Sequence, residues 1–252
     1  MITLEGKTVL VTGASKGIGA AIARVCLEAG ARVILHWNSE EGEAAALARA
    51  YGADRSKLVQ ADLADKQAVR RLWREAADWA GGLDGLVNNA AVMPYSAPDD
   101  ALEAWDADWE ASWAVNVRAV ADLCREAVRH MRQRGTGSIV NIASRAAFRG
   151  DLPDAMHYAA SKGAVVALTR SLAKSYAKDG LSVYAVAPGW VRTERVAPRI
   201  DAPENAHMLA EIPMGEAAPP REVANIVAFL LSGLAPNATG ATVDINGASY
   251  FH

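Results

Sequence analysis

The chain is 252 residues long, 51% hydrophobic and 22% charged, with a formal net charge of −3 at pH 7. A chain of that length forms one large α/β domain or two small ones, and its slight acidity supplies no basic footprint for nucleic acid or an anionic membrane. Its apolar runs fall well short of the roughly 20 residues of a membrane helix, and the opening "MITLEGKTVLVTG" enters a strand with no charged leader or apolar signal core, so the expected compartment is the cytoplasm.

Short β-branched runs alternate with amphipathic patterns from end to end. "KTVLVTG" from Lys7, "RVILHW" from Arg32, "KLVQAD" from Lys57 and "LDGLVNNA" from Leu83 read as strands. The series continues with "GSIVNIAS" from Gly137, "LSVYAVAPG" from Leu181 and "ATVDING" from Ala241. Between them, "GIGAAIARVCLEAG", "DKQAVRRLWREAADWA" and "PREVANIVAFLLSG" carry helical spacing. This alternation predicts a parallel sheet with helices on both faces. No repeat or linker divides the chain, so a single domain over residues 1–252 is expected.

The first strand runs into "VTGASKGIGAAIA", a glycine-rich turn followed by a helix, with Gly13, Gly17 and Gly19 spaced G-x-x-x-G-x-G. Glycines let the backbone turn tightly and let a pyrophosphate approach the helix's amino end. Gly13, Ser15, Lys16, Gly17, Ile18 and Gly19 are therefore the candidate dinucleotide cradle. At the end of the second strand an Asp or Glu would select NAD by holding the ribose 2′-hydroxyl. Trp37, Asn38 and Ser39 stand there instead, and the first carboxylates are Glu40 and Glu41, expected to open the next helix. Lys16 either offers a counter-charge to a 2′-phosphate or is a solvated loop lysine; the balance points to NADP. Asp62 and Leu63, after the third strand, are further candidate cofactor contacts. Asp62 either accepts from the adenine amino group or caps the helix that follows.

Cys26 and Cys124 lie in apolar helical patterns and read as buried thiols, and no spacing suggests a metal site. Trp105, Trp109 and Trp113 recur at helical spacing, which makes a packing face before a ligand platform. Asn116 is a poor helix former inside a helix. It either anchors a buried water linking Lys162 to solvent or marks a kink satisfied by backbone. Ser144 ends the fifth strand, where its hydroxyl can point into the crevice at the sheet's carboxyl edge.

Tyr158 and Lys162 share one helical face, surrounded by Ala159, Ala160, Ser161 and Gly163, which leave room for something large. Reducing a ketone by hydride requires a proton donor at the carbonyl oxygen. A phenol with a pKa of about 10 is a poor one at neutral pH, and a neighbouring cation is expected to lower that value. Ser144 would hold the substrate oxygen next to Tyr158. His157 reads as structural rather than as a substrate contact. From Trp190 to Pro219 no strand is expected, and Pro198, Pro203, Pro213 and Pro219 break weak helical patches; such a stretch reads as a substrate lid. Arg145, Arg149, Arg192, Arg195 and Arg199 flank the fifth strand's end and the lid. They either recognise an acidic substrate or are solvated loop charges, and the expectation leans narrowly to the latter.

"TGASKGIG" from Thr12, "NNA" from Asn88, "NIAS" ending at Ser144, "YAASK" from Tyr158 and "APG" ending at Gly189 stand in one order and spacing. In this the chain resembles the classical short-chain dehydrogenases/reductases over essentially its whole length. It is similar to 3-oxoacyl-(acyl-carrier-protein) reductase-like members. The resemblance implies a Rossmann-type, doubly wound parallel sheet of seven strands and a catalytic group of Asn116, Ser144, Tyr158 and Lys162. It implies Asn89 and Ala90 beside the cofactor, Pro188 and Gly189 next to the nicotinamide, and Val191 and Thr193 near its carboxamide. It also implies that the tryptophan-bearing helix packs against a second subunit of a homotetramer. Ala91 replaces the glycine that usually follows "NNA", and "INGASYFH" ends the chain where many relatives have two glycines. The function expected is NADP-dependent hydride transfer to or from a ketone or secondary alcohol. The alternative is a catalytically silent dinucleotide-binding sensor of the same fold.

Overall fold

The structure, a computed structural model, describes residues 2–252. Its strands are β1 (Thr8–Val11), β2 (Arg32–Trp37), β3 (Ser56–Gln60), β4 (Gly85–Asn88), β5 (Gly137–Ile142), β6 (Leu181–Pro188) and β7 (Thr242–Ile245). They form one seven-stranded sheet in the order β3-β2-β1-β4-β5-β6-β7, and each pairing is parallel. The helices are α1 (Gly17–Glu28), α2 (Gly42–Tyr51), α3 (Lys66–Ala80), α4 (Leu102–Trp113), α5 (Val120–Arg134) and the short α6 (Ala146–Arg149). They continue with α7 (Met156–Tyr176), α8 (Ala197–Ile200), α9 (Ala206–Ala210) and α10 (Pro220–Ser232).

Strand side chains alternate between the two faces, so each strand feeds two cores. Val9, Val11, Val33 and Leu35 meet α1, α2 and α10 through Ile22, Cys26, Leu47 and Val227. Leu10, Ile34, Leu86 and Ile139 meet α3, α5 and α7 through Leu72, Cys124, Met131 and Val165. Helices cover both faces, which is why the central strands read as unbroken apolar runs. Each fully buried Val or Leu contributes about 1.5–3 kcal/mol relative to exposure. None of the described helices is long and apolar enough to cross a membrane.

The strand order grows outward from β1 to β3, then returns to β4 on β1's other side. At that reversal the loops after β1 and β4 part in opposite directions and open a crevice at the carboxyl edge, where ligands of this architecture bind. Two local devices shape its walls. Between α4 and α5 the helix widens into a π turn over Ala114–Ala119, and such single wide turns recur at functional sites. The stretch from Trp190 to Pro219 holds α8, α9 and a single β-bridge from Val191 to Ala218. It packs on a small apolar cluster of its own, built on Ile200, Met208, Ile212 and Ala217.

Candidate active site

A cleft of about 760 Å³ runs along the carboxyl ends of the central strands, within the range of cofactor and ligand sites. One end is made by the turn between β1 and α1. Gly13 and Gly17 adopt φ of 68° and 58°, the left-handed region in which glycine carries no steric penalty. A Cβ at Gly19 would lie 2.0 Å from the Gly13 carbonyl oxygen and 2.4 Å from Asn89 Nδ2. Lys16 precedes α1 in extended conformation, its side chain makes no capping hydrogen bond, and no carboxylate stands in the first turn. The helix therefore presents unsatisfied N–H groups and a positive dipole end to the cleft, which fits a pyrophosphate. Asn89 staples β4 to this turn: its Nδ2 donates to the Thr12 and Gly13 carbonyls at 2.9 and 3.3 Å, while its N–H donates to Thr12 Oγ1 at 2.9 Å.

Gly13, Ser15, Lys16, Gly17, Ile18, Gly19, Asn38, Ser39, Asp62 and Leu63 line this cleft. Asn89, Ala90, Ser144, Tyr158, Lys162, Pro188, Gly189, Val191 and Thr193 line it too. Two expected residues do not. Trp37 is half-buried and lies off the cleft wall. Strand alternation sends it to the face opposite His36, the residue that does reach the wall. Asn116 is fully buried behind the wall. Its Oδ1 accepts the Val92 N–H at 2.9 Å, and its Nδ2 donates to the Val92 carbonyl at 2.8 Å and to Ser161 Oγ at 3.1 Å. Asn116 sits inside the π turn and is held by the Val92 backbone and the Ser161 hydroxyl.

Glu40 also departs from expectation. It lines the cleft, whereas Glu41 occupies the position just before α2. Asp62 accepts the Ala64 N–H at 2.9 Å, and the residue capping α3 is Asp65, whose carboxylate accepts from Gln67 N–H at 2.7 Å. His157 is buried off the cleft and packs against Trp109 of α4, ring centroids 6.0 Å apart.

Three groups meet at the other end. Ser144 follows β5, and its Oγ accepts the Ala146 N–H at 3.1 Å. Tyr158 and Lys162 come from the first turns of α7, with Lys162 Nζ 5.6 Å from the centre of the Tyr158 ring. Lys162 Nζ donates to the Ile142 carbonyl at 2.7 Å. Burial pushes the Tyr158 phenol up to about 12, with a hydrogen bond to Ser144 and the charge of Arg195 working the other way. Burial pushes Lys162 down to about 8. The expected lowering of the phenol by Lys162 is thus absent from this arrangement: both groups are desolvated, and the ammonium is turned to a backbone carbonyl. A phenol at about 12 is firmly protonated at neutral pH, which is the state a proton donor needs.

Of the arginines, Arg192 pairs with Asp201 at 2.9 Å and lies off the cleft. Arg195 donates to the Met93 carbonyl at 3.2 Å and Arg199 to the Tyr95 hydroxyl at 2.5 Å. These two tie the 190–219 stretch to the loop after β4 across the cleft. Arg145 is the exception to the solvated reading, with a side chain only 5% exposed. Met93, Pro94 and Tyr95 are wall residues that sequence reasoning missed, since no periodicity marks a loop.

A glycine cradle at a sheet's switch point, beside a Ser, Tyr and Lys, defines a nucleotide-dependent oxidoreductase of the Rossmann class. Comparisons refine that class. A family model described as enoyl-(acyl carrier protein) reductase matches residues 13–248. The 3-oxoacyl-(acyl-carrier-protein) reductase FabG of Vibrio cholerae is 34% identical over 99% of both chains. The cis-4-hydroxycyclohexanecarboxylate dehydrogenase of Sinomonas cyclohexanicum is 38% identical over 96% of this chain and 95% of its own. Among solved structures, a putative NAD(P)-dependent gluconate 5-dehydrogenase from Beutenbergia cavernae with bound NADP superposes with a TM-score of 0.89, at 35% identity and 98% coverage of both chains. The chain belongs to the short-chain dehydrogenase/reductase family. It is an NAD(P)-dependent oxidoreductase acting on CH–OH/C=O groups. The relatives' names span several substrates, so they define the reaction class and not the molecule reduced.

Proposed function

We propose that the protein transfers hydride between NADP and a ketone or secondary alcohol, with Ser144, Tyr158 and Lys162 as its catalytic group. The observation that carries this reading is the convergence of those three side chains on one cleft with the glycine turn before α1. The dinucleotide, when bound, supplies or takes up the hydride. Ser144 orients the substrate oxygen by hydrogen bonding. The Tyr158 hydroxyl delivers its proton to that oxygen in reduction and recovers it in oxidation. Lys162, charged at neutral pH and anchored on the Ile142 carbonyl, holds the ribose. Asn116 acts through Val92 and Ser161, fixing the wall behind the site.

Lys16, Asn38 and Ser39 surround the 2′ position in this reading, and Glu40 opposes them from the same wall. The 190–219 stretch covers the substrate, and Leu102 and Trp113, two of the exposed large apolar side chains, belong to a surface that a homotetramer buries. The test is direct: purified protein with NADPH or NADH and a panel of ketones, followed by loss of reduced-nicotinamide absorbance. Oxidation of NADPH dependent on added ketone supports the assignment. A strong preference for NADH would reverse the cofactor choice, and no turnover of any carbonyl would sink the reaction itself.

A further inference from the structure

Arg145 follows Ser144 directly in the chain, and its backbone N–H donates to the Pro188 carbonyl at 3.0 Å. Both residues line the cleft, so this guanidinium shares a wall with the groups proposed to handle the substrate oxygen. Its side chain is 5% exposed. A guanidinium has five N–H donors and stays charged, so burying one is costly unless anions and acceptors surround it.

The described residues supply little of that. One nitrogen donates to Ser249 Oγ at 2.5 Å. The nearest carboxylate, Glu211, is 3.9 Å away, beyond hydrogen-bond distance, and is itself 48% exposed. Glu211 is also shared, lying 3.3 Å from Arg149, another residue of the cleft wall. Two guanidiniums therefore compete for one half-solvated carboxylate. Desolvation and the neighbouring Arg149 both push Arg145 away from its charged form, while Glu211 and Asp151 pull back. Trp190 lies on the other side, its ring centre 5.7 Å from the guanidinium carbon, so an aromatic face rather than a carboxylate flanks the group there.

Resting on the reductase reading above, we propose that Arg145, assisted by Arg149, binds a carboxylate on the substrate, so that the substrate is an oxo acid or the matching hydroxy acid. The substrate's carboxylate is the anion that the buried guanidinium otherwise lacks. Its planar fork suits two carboxylate oxygens at once. Because Arg145 and Ser144 are consecutive, the carboxylate and the reacting carbonyl belong to one compact molecule. Arg145 is then a specificity-determining residue, and Ser249 positions it.

The test compares acids with their methyl esters, which keep the carbonyl and remove the charge. Wild-type protein is given 3-oxobutanoate, 4-oxopentanoate and 5-oxohexanoate, each beside its ester, and kcat/KM is measured with the preferred dinucleotide. An acid at least tenfold better than its ester, with that ratio falling toward one in Arg145→Gln and held above it in Arg145→Lys, supports the proposal. The ratio is taken within each variant, so partial misfolding cancels, and the wild-type comparison needs no variant at all. Esters turned over as well as acids would overturn the carboxylate assignment and leave the reductase reading intact. If no carbonyl is reduced, the reductase reading fails by itself, and calorimetric titration of wild type with 4-oxopentanoate decides the second question. Binding that Arg145→Gln weakens tenfold would keep the anion site, and the absence of such binding would remove it.

Discussion

His36 holds the glycine-rich turn from beneath: its Nδ1 accepts the Gly13 N–H at 3.0 Å, and its Nε2 lies 3.0 Å from the Ala61 carbonyl oxygen. Only the neutral ring protonated on Nε2 satisfies both partners. One buried imidazole therefore joins the ends of β1, β2 and β3 under the cofactor cradle, and burial lowers its pKa from 6.5 to about 4. Between those values the unfolded chain binds a proton that the folded chain refuses. The contribution is fully present above pH 6.5 and is lost as the pH falls through about 4, a change of about 3 kcal/mol. Urea unfolding at stepped pH should show wild type losing stability across this window and His36→Gln losing less. Identical slopes would assign the loss to other groups.

Tyr158→Phe removes one hydroxyl and little shape. Turnover should fall about 10²- to 10⁴-fold, the span of general acid–base contributions, while dinucleotide affinity stays near wild type. Lys162→Ala should impair both, because it removes the charge and the proposed ribose contact. Retention of an appreciable fraction of wild-type rate by Tyr158→Phe would mean that another group donates the proton.

Cofactor choice rests on opposing charges along one wall. Hydrogen bonds to a charged group contribute about 1.5–3 kcal/mol each, so Lys16→Ala should weaken NADPH by roughly ten- to a few-hundredfold and NADH far less. Glu40→Gln should act in the opposite direction and improve NADPH selectively. Equal changes for both dinucleotides in both variants would show that neither residue reads the 2′ position.

Gly19→Ala places a methyl group 2.0 Å from the Gly13 carbonyl oxygen, so the turn must shift. The expected cost is about 1–3 kcal/mol of stability, with dinucleotide binding weakened as well. Gly163→Ala is the control, since its new Cβ would meet only the Ala147 carbonyl at 3.7 Å and a helix interior favours alanine by about 1 kcal/mol. Calorimetric melting of the two variants should move them to opposite sides of wild type. A Gly19→Ala protein as stable as wild type would mean the turn is looser than these contacts imply.

Light scattering on the purified protein should give a homotetramer, and Trp113→Glu should shift it toward smaller species. Trp113 is 46% exposed and Leu102 67% in the single chain, at opposite ends of α4. A monomer at micromolar concentration would leave that apolar surface without a partner of its own kind.

The strands are legible in the sequence because buried parallel strands write themselves as largely apolar runs, whereas their order in the sheet is set by how the helices between them pack. The glycine turn is legible because only glycine tolerates its backbone. Side-chain direction at a strand's last residue is not written locally. Trp37 and His36 differ by one position in register, and only the sheet decides which of them faces the cleft. Asn116 shows the same limit in a helix, since its partner Val92 lies in a loop with no periodicity of its own. Lys162 shows it in electrostatics: adjacency to Tyr158 follows from spacing, whereas its bond to the Ile142 carbonyl depends on how β5 meets α7. Burial of Arg145 depends on Trp190 and Ser249, far along the chain, so its charge reads locally as solvated.

The wide turn at Ala114–Ala119 makes this stretch sensitive to length in a way that its composition hides. An α-helix advances about 100° per residue, and a π turn absorbs one extra residue without breaking the helix. Removing one residue inside the turn would restore ordinary winding and leave α4 and α5 in the phase they now hold, at the cost of the bonds Asn116 makes to Val92. Removing one between Trp109 and the turn has no such slack to take it up, so everything upstream would rotate by about 100° and Trp109 would swing off His157. A substitution in α4 alters one side chain; a one-residue deletion there alters which side of the helix faces α7.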